Sequence, residues 1–350
     1  MKKKVMVGMS GGVDSAVSAY VLKTEGYDTA GINCSFFRAA DVFIEKESTD
    51  VIDAKNTADM LGIPFYTVYL GEKFKAQVIE QFINAYCEGA TPNPCIFCNR
   101  HLKFGELLNF AANEGYESIA TGHYAQIEKS GDRYLLKKGE DKSKDQSYVL
   151  YTLTQHQLSH TLFPLGRYSK AQVREIAESI SFTTARKQDS QDICFIPDGD
   201  YAAFIEKYTG HTFPDGDFIT AEGKILGTHK GIIRYTVGQR KGLGLALPAP
   251  MYVKEKDVVN NRVILCDNQS LFTRELTAKD INFIPFDTLE KELRVKAKVR
   301  YKHEEQWATV IQTDENRFSL TFDEPQRAIS KGQSVVLYDG DYVVGGGIIE

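Results

Sequence analysis

Two kinds of residue in this chain of 350 are placed to do chemistry. The first is the string SGGVDS, residues 10–15, which joins the apolar run KVMVGM to AVSAYVLKTEG. Glycines there let the backbone fold tightly, so that successive N–H groups and a helix N-terminus converge on an anion, while serine hydroxyls add donors without bulk. Phosphate is the expected guest. The spacing is not that of the Walker-type loop, which needs a lysine after its glycines, nor is it G-x-G-x-x-G. The second kind is cysteine, of which there are six. That is too sparse for a disulfide scaffold, and spaced thiols in a reducing compartment are more often catalytic or metal-binding. Cys87, late in an amphipathic pattern, and Cys266, in VILCD, read as small buried hydrophobes. Cys95 and Cys98 form a C-x-x-C pair, which is half a zinc or iron–sulfur site, a redox disulfide, or coincidence. No second pair completes a metal site, and we read Cys95 as a bystander in its loop.

The elements that must hold these groups are legible as an alternation. VMVGM, DTAGINCSFF and PFYTVYL read as strands. Between and after them, SAVSAYVLKTEG stops at Gly26, and STDVIDAKNTADMLG is capped by Ser48 or Thr49 and stopped by Gly62. EKFKAQVIEQFINAYCEG places Phe74, Val78, Phe82 and Tyr86 on one helical face. ATPNPCIFCNRH reads as a break before the helix LKFGELLNFAANEG and the strand SIATGHYA. Such βαβ units predict a doubly wound parallel sheet, whose ligands bind at the carboxyl ends of the strands. That edge is expected to carry Ser10–Ser15, Cys34 and Gly122–Tyr124.

The chain exceeds a single core, which ends near 250–300 residues, so two or three domains are expected. After about residue 205, glycine turns separate short strands, and from LTAKDINFI onward the pattern is that of a barrel or sandwich. We divide the chain into 1–205, a small central β-rich domain at 206–272 and a C-terminal β-barrel at 273–350. No run of about 18 apolar residues and no leader pattern is present, so a cytoplasmic protein with no membrane partner is expected. The net charge of −5 argues against a uniformly basic nucleic-acid binder but leaves room for local patches. In RVKAKVRYKH, Arg294, Lys296, Lys298, Arg300 and Lys302 alternate with Val295, Ala297, Val299 and Tyr301. Period two puts the cations on one strand face about 27 Å long, a stripe suited to phosphates, and Arg234, Arg240 and Lys241 around the GQRKG turn strengthen the binding reading.

SGGVDS resembles the pyrophosphatase loop of the adenylating ATP pyrophosphatases, whose domain is adenine nucleotide alpha-hydrolase-like. The ordered set TPNPCIFCNRHLKFG, ATGHYA, KDQSYVLY, ARKQDSQDICFIP and YTVGQRKGLG resembles the bacterial tRNA-specific 2-thiouridylase family along nearly the whole chain. That resemblance implies adenylation of the C2 oxygen of a wobble uridine by ATP, then replacement of that oxygen by sulfur from a cysteine persulfide. Chemically, carbonyl oxygen is a poor leaving group and AMP a good one, and a thiolate persulfide can carry sulfur while a second thiol resolves it.

By the same resemblance, Cys194 matches the persulfide carrier and Cys98 the catalytic nucleophile, with Arg100, His101 and Lys103 expected to lower the Cys98 pKa. Gly8, Met9, Ser10, Gly11, Gly12, Val13, Asp14, Ser15, Cys34 and Gly122 match the ATP site, with Mg²⁺ near Asp14. Asn93, Pro94, Cys95, Lys144, Asp145 and Gln146 match segments contacting the anticodon stem-loop, as do His123, Arg300, Tyr301 and Gln333. Cys34 stands where the family more often has methionine, and Cys95 where it frequently has aspartate. A sulfur donor, such as a cysteine desulfurase or a sulfur relay carrier, is an implied partner. Two rivals are an adenylating synthetase for a small metabolite and a non-catalytic tRNA-binding or sulfur-relay protein.

Overall fold

The computed structural model describes residues 2–36, 49–180, 182 and 193–350. Strands β1 (Lys4–Gly8), β2 (Asp28–Ser35), β3 (Phe65–Tyr69), β4 (Ser118–Ala120) and, further along, Thr161–Leu162 form one parallel sheet. Its order is β3-β2-β1-β4 and then the Thr161–Leu162 strand. Val5, Met6 and Val7 of the central β1 are fully buried, which is why a continuous apolar run, not an alternating one, encodes it. Helix α1 (Val13–Thr24) follows the loop and gives way to Gly26 at φ +91°, the stop expected from the sequence. The second expected helix runs Thr49–Leu61, and its possible cap Ser48 lies outside the described residues.

The run 71–87 is helical throughout, with Lys75–Ile79 in π geometry. Its expected face of Phe74, Val78, Phe82 and Tyr86 is buried in one cluster with Cys98, Phe195 and Ile196. Two expectations fail locally. ATPNPCIFCNRH is a break only as far as Asn93, because Pro94 occupies the first turn and the Asn93 side chain accepts the Cys95 N–H at 3.1 Å. Helix then covers 94–113, with Cys98–Glu106 in π geometry. SIATGHYA is not one strand either: β4 stops at Ala120, and β5 (Ala125–Ser130) leaves to pair with β6 (Arg133–Lys138).

That hairpin joins the third part of the molecule, since β6 pairs with β17 (Tyr342–Ile349) at Lys137–Tyr342. β17 belongs to a closed six-stranded barrel with β12 (Phe272–Phe283), β13 (Leu293–Lys298), β14 (Gln306–Asp314), β15 (Arg317–Arg327) and β16 (Ser334–Asp339). Between the two, β8 (Gly216–Thr220), β9 (Ile225–His229), β10 (Tyr252–Asp257) and β11 (Arg262–Cys266) make a four-stranded sheet. Its Phe218, Val253, Val263 and Leu265 close over the 71–87 helix face. Among the described residues no helix is long and apolar enough to cross a membrane.

The five-cation strand face does not form as expected. Val295, Ala297 and Val299 are buried in the barrel as the alternation requires, but β13 ends at Lys298. Arg300, beyond the strand end, turns into the protein to donate to the Ala328 carbonyl and to Ser330 Oγ, a need for buried acceptors that periodicity does not reveal. Arg294 is held by Asp323 through both guanidinium nitrogens, one at 2.7 Å.

Candidate active site

The loop 8–15 leaves the C-terminal end of β1, and Cys34 and the 121–124 segment leave the same edge from β2 and β4. Gly11 sits at φ +71°, and a Cβ there would lie 2.4 Å from the Asp50 carbonyl oxygen, so only glycine fits. A Cβ on Gly122 would lie 3.0 Å from Asp14, which closes the opposite wall of the cradle. Ser15 organises the turn: its Oγ accepts the Ser10 N–H at 3.2 Å and donates to the Gly12 carbonyl at 3.0 Å. Met9 and Val13 are buried in the core, so these two, like Gly8, offer the edge only backbone. Gly12 caps α1 without a side chain, leaving first-turn N–H groups of the kind that bind anions.

Asp14 is the charged centre of this edge. Both its carboxylate oxygens accept from Lys170 Nζ at 2.8 Å, and Oδ1 also accepts the Tyr124 hydroxyl at 2.8 Å. Lys170 is buried and opens the helix Lys170–Ser179, which Ser169 and Gln172 cap reciprocally. The sequence reading missed it. A signal was present: a cation at a helix N-terminus opposes the macrodipole, so a lysine just after a capping serine marks a nearby anion. Tyr124 is positioned in turn by Gln146, whose Oε1 accepts its N–H at 3.0 Å.

Cys98 is buried on the π segment of the 94–113 helix. Burial pushes its thiol up; Lys103 opposes this and Cys95 adds to it. The expected lowering by Arg100, His101 and Lys103 therefore does not prevail: Lys103 alone of the three acts on the thiol, and desolvation outweighs it. His101 is itself lowered by burial and by Arg100, so it is no cation at neutral pH. Cys194 keeps solvent contact yet is crowded enough that burial pushes it to about 12, with Cys98 and Cys95 adding to the rise. The adjacent Phe195 packs edge-on against Phe74 and Phe82 with centroids 5.7 and 5.4 Å apart, which holds the Cys194 backbone against the 71–87 helix. Cys34 is also raised to about 12, by burial and then by Cys98. Most of the DICFIP end of its expected motif is described, whereas residues 185–192 lie outside the described residues. Thiols this high are protonated at neutral pH. Alkylation of Cys194 is expected to rise about tenfold per pH unit from 7 to 9 without levelling, measured by quenched peptide mapping. A plateau below pH 8 would contradict this setting.

Several of the residues expected to meet RNA are already engaged with protein. Asn93 is spent on its cap and Pro94 is buried, while Cys95 is exposed. Gln333 donates to the Thr91 carbonyl at 2.6 Å, fixing the loop before Asn93 from the barrel. Tyr301 donates to the Asp145 carbonyl at 2.9 Å, and the Asp145 carboxylate ties Gly139 and Ser147, which shapes the turn at Lys144–Gln146. His123 is buried, bonded to Thr121 at 2.7 Å, and burial followed by Lys103 holds it well below its ordinary value. Among the described residues no three His, Cys, Asp or Glu side chains are grouped to hold a metal ion.

Three family models match in chain order: a tRNA methyl transferase HUP domain over 3–198, a tRNA methyl transferase PRC-barrel domain over 202–267 and an aminomethyltransferase β-barrel domain over 273–349. The parallel sheet with its glycine-serine loop at the strand ends is that of a HUP-domain protein. Over its full length the chain is 52% identical to the tRNA-specific 2-thiouridylase of Clostridioides difficile strain 630, covering 99% of it, and 50% identical to one from Clostridium botulinum strain Okra, covering all of it. The chain belongs to the tRNA-specific 2-thiouridylase family. In part it is also similar to the solved U34-tRNA thiolase of Methanococcus maripaludis with its 4Fe–4S cluster, at 21% identity and TM-score 0.35, over 59% of this chain and 67% of that one.

Proposed function

We propose that this protein is an ATP-dependent tRNA sulfurtransferase that adenylates the C2 oxygen of a wobble uridine and replaces it with sulfur carried by Cys194. The observation that carries the reading is that Cys34, at the same sheet edge as the cradle around Asp14, feels the charge of Cys98, which also acts on Cys194. A phosphate cradle alone suits many adenylating enzymes, and a thiol pair alone suits a sulfur relay. Together they match a reaction that must both create a leaving group and deliver sulfur.

The residues divide the work. Backbone N–H groups at the start of α1, from Gly12 to Ser15, hold the phosphates beyond the scissile bond, and Lys170 places Asp14. Asp14 would supply a hard carboxylate oxygen to Mg²⁺, and the bound ion would neutralise developing phosphate charge. Cys34 lies at the end of β2, where it walls the nucleotide pocket. Cys194 carries the sulfur and Cys98 resolves it. Asn93–Cys95, His123, Lys144–Gln146, Arg300, Tyr301 and Gln333 form the anticodon side, several of them by fixing the loops that touch RNA. The three units are 1–205, 206–272 and 273–350, in a cytoplasmic protein served by a separate sulfur donor.

Lys296 and Lys298 carry what is left of the cationic strand, Lys296 lying over the Trp307 ring at 5.4 Å. Replacing both by alanine is expected to reduce the salt slope of tRNA binding by roughly two, since about one counterion is released per phosphate contact. Arg294→Ala, whose cation already pairs with Asp323, is expected to change it little. An unchanged slope in the double variant makes this face ordinary solvated surface.

Pyrophosphate release tests the reading as a whole. Release that requires an unmodified tRNA supports it; release with a small metabolite alone supports a synthetase; none under either condition leaves only a binding or relay protein.

A further inference from the structure

Beyond its place on the anticodon side, Cys95 has no chemical task in this scheme, yet it sits near the thiols that do. It lies three residues before Cys98 in the same helical run, and residues so spaced on a helix have Cα atoms about 5 Å apart, within the roughly 4.4–6.8 Å that a disulfide spans. Cys95 is exposed and Cys98 buried. Ile193, Phe195 and Ile196 pack in the cluster that contains Cys98, which brings the Cys194 backbone against this helix. The Cys194 thiol accordingly feels the charges of both Cys98 and Cys95.

We propose that Cys95 is the resolving thiol that regenerates the sulfur carrier, by moving the disulfide left after transfer from Cys98–Cys194 to the exposed Cys95–Cys98 pair. The inference rests on the persulfide reading above. Attack of the outer persulfide sulfur on C2 expels AMP and leaves that sulfur bridging C2 and Cys194. The Cys98 thiolate then attacks Cys194 Sγ, forming Cys98–Cys194 as the sulfur–sulfur bond to the product breaks and its electron pair stays with the thiocarbonyl. The Cys95 thiolate next attacks Cys98 Sγ, forming Cys95–Cys98 and expelling Cys194 as thiolate, which takes up a proton and is ready to be reloaded. A dithiol reductant, itself oxidised to a disulfide, finally reduces the surface pair to two thiols. Intramolecular attack from the same helix has the advantage over a bulky reductant reaching the buried Cys98 sulfur.

The test is one turnover of persulfide-loaded protein with ATP and unmodified tRNA, without reductant, followed by acid quenching, alkylation and peptide mapping. The expected result is 2-thiouridine together with a Cys95–Cys98 disulfide and alkylated Cys194. Cys95→Ser is expected to end as Cys98–Cys194 and, with dithiothreitol as the added dithiol, to reduce at least tenfold more slowly than the parent. Thiouridine accompanied by a lasting Cys98–Cys194 disulfide in the parent overturns this proposal alone. Absence of thiouridine in the parent overturns the persulfide reading and this proposal with it. A second arm needs no tRNA: equilibrated with oxidised dithiothreitol, the parent is expected to form Cys95–Cys98 first, and any other first disulfide overturns the proposal.

Discussion

Replacing Asp14 by alanine is expected to slow tRNA-dependent pyrophosphate release by about 10²–10³-fold, the usual cost of removing one preorganised group at a site of developing charge. The change strips the cradle of its carboxylate and leaves the Lys170 ammonium, buried and bonded to both Asp14 oxygens, without that partner. Affinity for tRNA should stay close to the parent's, because the residues proposed to meet RNA phosphates are on other elements. Lys170→Met is expected to slow release comparably, and the double variant hardly more than either single, since the two act as a unit. Thermal unfolding of each variant separates loss of chemistry from loss of fold. Full activity in Asp14→Ala would remove the phosphate-site assignment.

The parallel sheet was legible because its central strands are buried on both faces and its helices are stopped by glycines such as Gly26 and Gly62. The loop was legible because few residue types besides glycine tolerate the positive φ and close approach at Gly11. What escaped the sequence depends on contacts between distant segments. Lys170 meets Asp14 across 156 positions, and Arg300 turns from a strand pattern to carbonyls brought near by folding. The thiol environment escaped for the same reason: neighbouring Arg100 and His101 suggested a lowered Cys98, but desolvation by the 71–87 helix and the 193–196 segment prevails. The helix start at Pro94 was a different failure, since Asn93 and Pro94 are an ordinary cap signal that the cluster of loop-forming residues obscured.

Cys194→Ser is expected to abolish thiolation, a loss of at least about 10³-fold, while tRNA-dependent pyrophosphate release continues. A hydroxyl cannot hold sulfane sulfur, but the cradle is built from residues 10–15, Tyr124 and Lys170 and needs no thiol. Cys98→Ser should still load sulfur on Cys194 and fail to release product, leaving RNA attached through sulfur to the protein, a species visible as a reductant-sensitive band. Loss of pyrophosphate release in both variants would mean that the cysteines shape the nucleotide site instead of carrying sulfur.

The central claim is that sulfur travels through Cys194 to an ATP-activated uridine, and labelled sulfur tests it most directly. Protein loaded at Cys194 with ³⁵S persulfide, freed of donor, is mixed with unmodified tRNA with or without ATP, and the RNA is digested to nucleosides. The expected result is ³⁵S in 2-thiouridine at the wobble position with ATP and none without it. Label that stays on the protein in the presence of ATP, or that reaches the RNA in its absence, would contradict it.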